Sequence, residues 1–153
     1  MKRRKFLKSL GGSFVATSLF ASNSLRSAQK TEYNWKMVTS WPKNFPGLGV
    51  GAENLAKIIN KLSNNRIKIR VFGANELVPP LEVFDYVSNG GAELGHSGAY
   101  YWKGKSEACQ FFSSVPFGMN AQEMNAWLYY GGGLELWSKL YGKFNLVPRP
   151  AGN

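Results

Sequence analysis

"RIKIRVFGANELVPPLEVFDYVSNGGAELGHSGAYYW", residues 66–102, holds two changes of period that decide the fold class. Ile67, Ile69 and Val71 alternate with Lys68, Arg70 and Phe72, a period of two that predicts a strand ending at Gly73. Pro79 and Pro80 then precede "LEVFDYVSNGG". Proline suits a first helical position and the glycine pair suits the exit, so this segment reads as a short helix. "AELGHSG" follows as a third strand.

Upstream, "YNWKMVTSW" (33–41) sets Trp35, Met37 and Thr39 against Lys36, Val38 and Ser40 and is stopped by Pro42, which reads as a first strand. Between the first two strands, Leu48, Ala52, Leu55, Ile59 and Leu62 recur at helical spacing, with Glu53, Lys57 and Lys61 on the other side. Asn64 and Asn65 end that helix in a turn. Strand, helix, strand, helix, strand with crossovers of this length predicts an α/β lobe with a mostly parallel sheet flanked by helices. Such sheets bind ligands at the carboxyl ends of their strands, where "HSGAYYW" leaves the third strand.

Downstream, "FFSSVPF" is a further strand candidate. Asn120 with Glu123 three residues on has the form of a capping box opening a helix over 121–130. After the glycines at 131–133, Leu134, Trp137 and Leu140 predict a second helix up to Gly142, and "KFNLVPRPAGN" reads as one more strand.

The chain of 153 residues is 44% hydrophobic, enough for one domain with a core. Its formal charge of +10 is concentrated at the start, where residues 1–30 carry seven Lys or Arg and no acid. The other twelve basic residues face nine acidic ones, a balance of +3. Arg66/Lys68/Arg70 and Lys103/Lys105 alternate with other residues as a solvated face does, so no nucleic-acid partner is expected. "MKRRKFLKSLGGSFVATSLFAS" has the three-part plan of an export signal, and Arg3 and Arg4 followed by Lys5, Phe6 and Leu7 resemble the twin-arginine consensus. Its apolar stretch is too short and too diluted for a spanning helix. Residues 1–29 are expected to be a cleaved leader and 33–153 the mature lobe, placed in a bacterial periplasm.

The residue types exclude several chemistries. A single cysteine, Cys109, allows no intramolecular disulfide and no Cys/His metal cluster, and beside "QFF" it reads as a small buried hydrophobe. The single histidine, His96, has no partner for a metal site, and no G-x-S-x-G elbow supports a Ser-His-Asp site with Asp85, so a structural role is expected. "GLGVGAEN" lacks the spacing of a dinucleotide loop and the Lys-Ser/Thr of a P-loop. Aromatics remain: Trp35, Trp41, Tyr100, Tyr101 and Trp102 lie at or near strand ends. They read as a ligand wall with phenolic hydroxyls or as core, and pattern alone leaves both readings open.

"WKMVTSWP", "ANELVPPLEVFDYVSNGGAELGHSGAYYWKGK" and "VPFGMNAQEMNAWLYYGGGLELW" resemble the periplasmic solute receptors of TRAP transporters (the DctP family), in particular the branch that binds α-keto acids and related carboxylates. The resemblance runs from about Trp35 to the last residue. It implies a periplasmic-binding-protein-like, two-lobed α/β receptor that closes on a small organic (keto, hydroxy or dicarboxylic) acid and delivers it to membrane permease subunits, with no enzymatic step. The family's tyrosine pair lining the cleft matches Tyr100 and Tyr101, the two expected ligand-binding residues. Family members are about twice as long. The resemblance places their carboxylate-binding arginine, most donors to a bound Na+ and the homodimer contacts after "PRPAGN", and Arg149 does not match that arginine. The chain is therefore expected to be a fragment, leader plus most of the first lobe, with the second lobe missing and no cofactor of its own. The competing readings are an exported enzyme and a receptor-like sensor module.

Overall fold

The computed structural model describes residues 32–151; the leader expected over 1–29 lies outside them. Three strands, β1 (Tyr33–Thr39), β2 (Ile67–Phe72) and β3 (Leu94–His96), form a parallel sheet in the order β2-β1-β3. β1 pairs with β2 from Tyr33↔Ile67 to Val38↔Phe72, and with β3 from Met37↔Leu94 to Thr39↔His96. Being central, β1 is covered on both faces, so Met37, Val38 and Thr39 are all buried and the alternation of the sequence is lost at its carboxyl end.

One face of the sheet carries Met37, Ile69 and Val71 against Ala52 and Ala56 of helix α1 (Leu48–Leu62). The opposite face holds the larger core. There Val38 meets Val83 and Phe84 of the short helix α2 (Val83–Ser88), with Trp102, Cys109 and Trp137 beyond. A single 3-10 turn, Pro80–Glu82, leads into α2 as the two prolines require. Helices α3 (Ala121–Tyr130) and α4 (Gly133–Tyr141) pack on that second core. Phe112 is stacked between Trp127 (5.7 Å) and Trp137 (5.4 Å). The capping box is present: Asn120 Oδ1 accepts from the N–H groups of Gln122 and Glu123, and the Glu123 carboxylate accepts from Asn120 N–H.

Three expectations are corrected. The buried face of α1 is Gly49, Ala52 and Ala56 with Ile59 packed beside them, so the stripe read in the sequence holds at Ala52 and Ile59 but not at its leucines; Leu62 is 82% exposed and Leu55 and Leu48 about 40%. At Gly49 the 42–45 loop approaches closely: a Cβ there would run into the Pro42 carbonyl oxygen. Residues 111–117 form no strand. A 3-10 segment spans Glu107–Phe112, the backbone bonds locally (Cys109 N to Ser106 O, 3.0 Å), and Phe117 adopts a left-handed φ of 59°. Residues 142–151 form no strand either. A 3-10 turn at Gly142–Phe144 closes at Asn145 in the left-handed region, and Pro148 and Pro150 have no N–H for a ladder.

Candidate functional site at the carboxyl ends of β1 and β3

β2 and β3 flank β1 on opposite sides, so the chain connections diverge at the carboxyl edge between β1 and β3. That divergence leaves a crevice where parallel sheets place ligands. Three loops meet there, after β1 (40–47), after β2 (73–80) and after β3 (97–102).

Each loop is tied down by a polar group whose position the sequence sets. Ser40 N donates to His96 O (3.1 Å), extending the β1–β3 ladder by one bond. Its hydroxyl donates to Pro80 O (2.8 Å) and meets Ser97 Oγ at 2.6 Å, joining all three loops through one buried side chain. Thr39, buried on the sheet, donates from Oγ1 to Trp41 O (2.6 Å) and turns the chain out of the strand. Trp41 O also accepts from Ala74 N (2.9 Å). In the loop after β2, the Glu76 carboxylate pairs with Lys43 Nζ (2.8 Å) and accepts from Gly73 N (2.9 Å). Lys43, with that backbone bond, holds the Glu76 pKa below the ordinary carboxylate value.

The aromatics separate into two groups. Tyr100 and Tyr101 sit in the 3-10 turn Ala99–Trp102 immediately after β3, their ring centroids 4.5 Å apart, exposed by 43% and 40%. Tyr100 lies over Gly98, where a Cβ would come within 2.8 Å of its ring. Hydrogen bonding with the Tyr101 side chain, with burial adding, pushes the Tyr100 phenol above its usual value, so it remains a proton donor at neutral pH. Trp41 joins this edge with its ring 5.0 Å from His96. Trp35 and Trp102 do not. Trp102 is buried against Phe84 (5.3 Å), and Trp35, in the first half of β1, packs on the α1 side beside Tyr33. Neither can belong to a ligand wall at the strand ends.

His96 is half-buried at the crevice, and burial lowers its pKa below 6.5. Among the described residues its buried Nδ1 has no hydrogen-bond partner. Sequence reasoning missed Ser40 and Ser97. The available signal was that each directly follows the end of a strand, in "TSW" and "HSG".

Other features carry no competing site. An apolar hollow of about 320 Å³ lined by Phe111, Val115, Met119 and Trp127 shares no residue with the crevice and has no charged side chain in its lining. Three of the five basic residues singled out in the sequence are engaged locally: Lys68 with Glu32 (2.8 Å), Lys105 with Asp85 (2.7 Å), and Arg70 over the Phe72 ring (4.8 Å). Cys109 is completely buried, and burial raises its thiol pKa, as suits an unreactive packing residue.

The sequence pattern of the DctP family, bacterial extracellular solute-binding protein family 7, matches residues 37–147, which include the whole crevice. The chain belongs to this family. It is 45% identical, over its full length, to a monocarboxylate 2-oxoacid-binding periplasmic protein of Nostoc sp., of which it spans 43%. Its fold matches a TRAP periplasmic solute-binding protein of Pseudoalteromonas atlantica solved with bound sodium and pyruvate, with a TM-score of 0.76 and 42% identity. A counterpart from Colwellia psychrerythraea with bound calcium and pyruvate matches with the same TM-score and 44% identity. In both cases 78% of this chain covers 36% of the other. Among DctP-family chains, then, this one spans well under half the length of the relatives it matches.

Proposed function

We propose that residues 33–153 form the first, ligand-cradling lobe of an extracytoplasmic TRAP solute receptor. Its ligand is a small monocarboxylic acid of the 2-oxo or 2-hydroxy type, and it serves membrane permease subunits without making or breaking bonds. The observation that carries this reading is the pair of half-exposed phenols, Tyr100 and Tyr101, on the turn that leaves β3 at the topological switch point. Phenolic hydroxyls on an aromatic wall supply directed hydrogen bonds to a carboxylate while the rings exclude water from one side. The names of the Nostoc relative and of the two pyruvate-bound structures support the ligand class.

Export through a twin-arginine leader over 1–29 and residence in the periplasm belong to the same proposal. No helix among the described residues is long and apolar enough to cross a membrane. Sodium accompanies the ligand in this reading mostly through donors beyond the described lobe; among the described residues there is no group of three or more His, Cys, Asp and Glu able to hold a metal.

One wall leaves a ligand open to water on the other side, so the expected dissociation constant of this chain is weak, about 1 mM or above. The test is an amide chemical-shift titration with pyruvate, lactate and succinate, with and without sodium. Shifts are expected at the amides of residues 40–41 and 97–102, and Tyr100→Phe or Tyr101→Phe should weaken binding about three- to tenfold. Shifts confined to other surfaces, or none at saturating acid, would overturn the receptor reading.

A further inference from the structure

The hydroxyl pair at the switch point has a fixed polarity. Ser40 Oγ lies 2.8 Å from Pro80 O and 2.6 Å from Ser97 Oγ. A carbonyl oxygen only accepts, and a serine hydroxyl has one proton, so the proton of Ser40 is committed to Pro80. The 2.6 Å contact then requires Ser97 as the donor. With its own proton spent on Ser40, Ser97 Oγ turns only lone pairs toward any further neighbour. Ser40 is the inner member, 9% exposed, and Ser97 the outer, half-buried one. Among the described residues no other group bonds the Ser97 hydroxyl.

The surroundings of Ser97 have the opposite polarity. Tyr101 N donates to Gly98 O (3.1 Å), which folds the turn so that Tyr100 and Tyr101 follow Ser97 directly at the crevice. Tyr100 and Tyr101 are bonded side chain to side chain, which uses one of their two protons, so the pair keeps one to give, whereas Ser97 keeps none. A ligand reaching both must present an acceptor to the phenol pair and a donor to the serine. A carboxylate meets the first requirement. A carboxylate or oxo oxygen set against Ser97 would face lone pairs with lone pairs and stay unbonded.

We propose that Ser97 is a specificity-determining residue that receives the hydroxyl proton of a 2-hydroxy monocarboxylate, so that the crevice takes 2-hydroxy acids as well as 2-oxo acids. In this pose the carboxylate lies toward Tyr100 and Tyr101 and the 2-hydroxyl toward Ser97; a 2-oxo acid must place another part of itself there. The inference rests on the receptor reading and assigns polarity within its site. Ser40 is the positioning residue: it touches no ligand, but its commitment to Pro80 is what denies Ser97 a free proton.

The test compares lactate and pyruvate by the same chemical-shift titration in wild type, Ser97→Ala and Ser40→Ala, in buffers with sodium and with choline as the only cation. Ser97→Ala is expected to lower the lactate-to-pyruvate affinity ratio about tenfold, mostly through lactate, with the dispersed amide spectrum retained. Ser40→Ala frees the Ser97 proton and is expected to strengthen pyruvate binding while lactate is held, an outcome that loss of packing would not produce. An unchanged ratio in Ser97→Ala, with both acids binding, overturns the assignment and leaves the receptor reading intact. An effect seen only with sodium means that the lone pairs meet a cation rather than the ligand hydroxyl, and also overturns it. If neither acid binds the wild type, the receptor reading falls and the assignment falls with it.

Discussion

At the level of single residues, the crevice is held by groups whose environment differs from that of the free amino acid, and two of them give measurable consequences. His96 is disfavoured in its charged form by burial, so its folded pKa lies below the value of about 6.5 expected for the unfolded chain. Above pH 6.5 both states are neutral and its contribution is complete. As pH falls through 6.5 toward the folded value, the unfolded chain binds the proton first and stability drops, by at most about 1.4 kcal/mol per pH unit. Urea midpoints taken at about pH 7.5 and 5.5 should show this slope. His96→Gln should remove it while leaving any loss at lower pH, where carboxylates held below the ordinary value, such as Glu93 accepting from Lys36 N–H, take up protons. Two glycines of α1 make the second case. Gly49→Ala should cost about 1–3 kcal/mol because its methyl meets the Pro42 carbonyl. Gly51→Ala, which points a methyl into open space on the same helix, should be neutral or stabilising by up to about 1 kcal/mol in the same denaturation assay.

At the level of elements, α1 shows why a correct helix can carry an incorrect face. Its periodic residues satisfy the helical spacing, but the positions buried on the sheet are Gly49, Ala52 and Ala56, with Ile59 packed beside them, so Leu48, Leu55 and Leu62 are displaced to the flank. Leu62→Gln is therefore expected to change stability by less than about 0.5 kcal/mol, whereas Ala56→Leu should cost about 1–3 kcal/mol by overpacking; the two midpoints distinguish the observed face from the one the spacing alone implies. Helix α3 is the opposite case. Its capping box depends on residues three apart in the chain, a purely local geometry, and was legible without the fold. Asn120→Ala should remove about 1 kcal/mol.

At the level of the whole molecule, much apolar surface faces outward: the hollow beside Trp127 and, next to it in the chain, Phe117 with its ring fully exposed. Surface of this kind promotes association, so sedimentation should show concentration-dependent self-association that Phe117→Asp reduces with an unchanged melting temperature. The sequence by itself determined the order of β1, α1, β2, α2 and β3, the parallel class, the α3 cap, and the placement of Tyr100 and Tyr101 at a strand exit. Each of these follows from periodicity or from groups a few residues apart. Only the tertiary structure decided which side of α1 is buried, that residues 111–117 and 146–151 pair with no strand, and that Trp35 and Trp102 pack into the interior. It alone joined Ser40, Pro80 and Ser97, the pair of serines being 57 positions apart. The reason is physical: the sequence specifies local backbone preference and apolarity, whereas close approach and hydrogen-bond direction depend on which distant segments the sheet brings together.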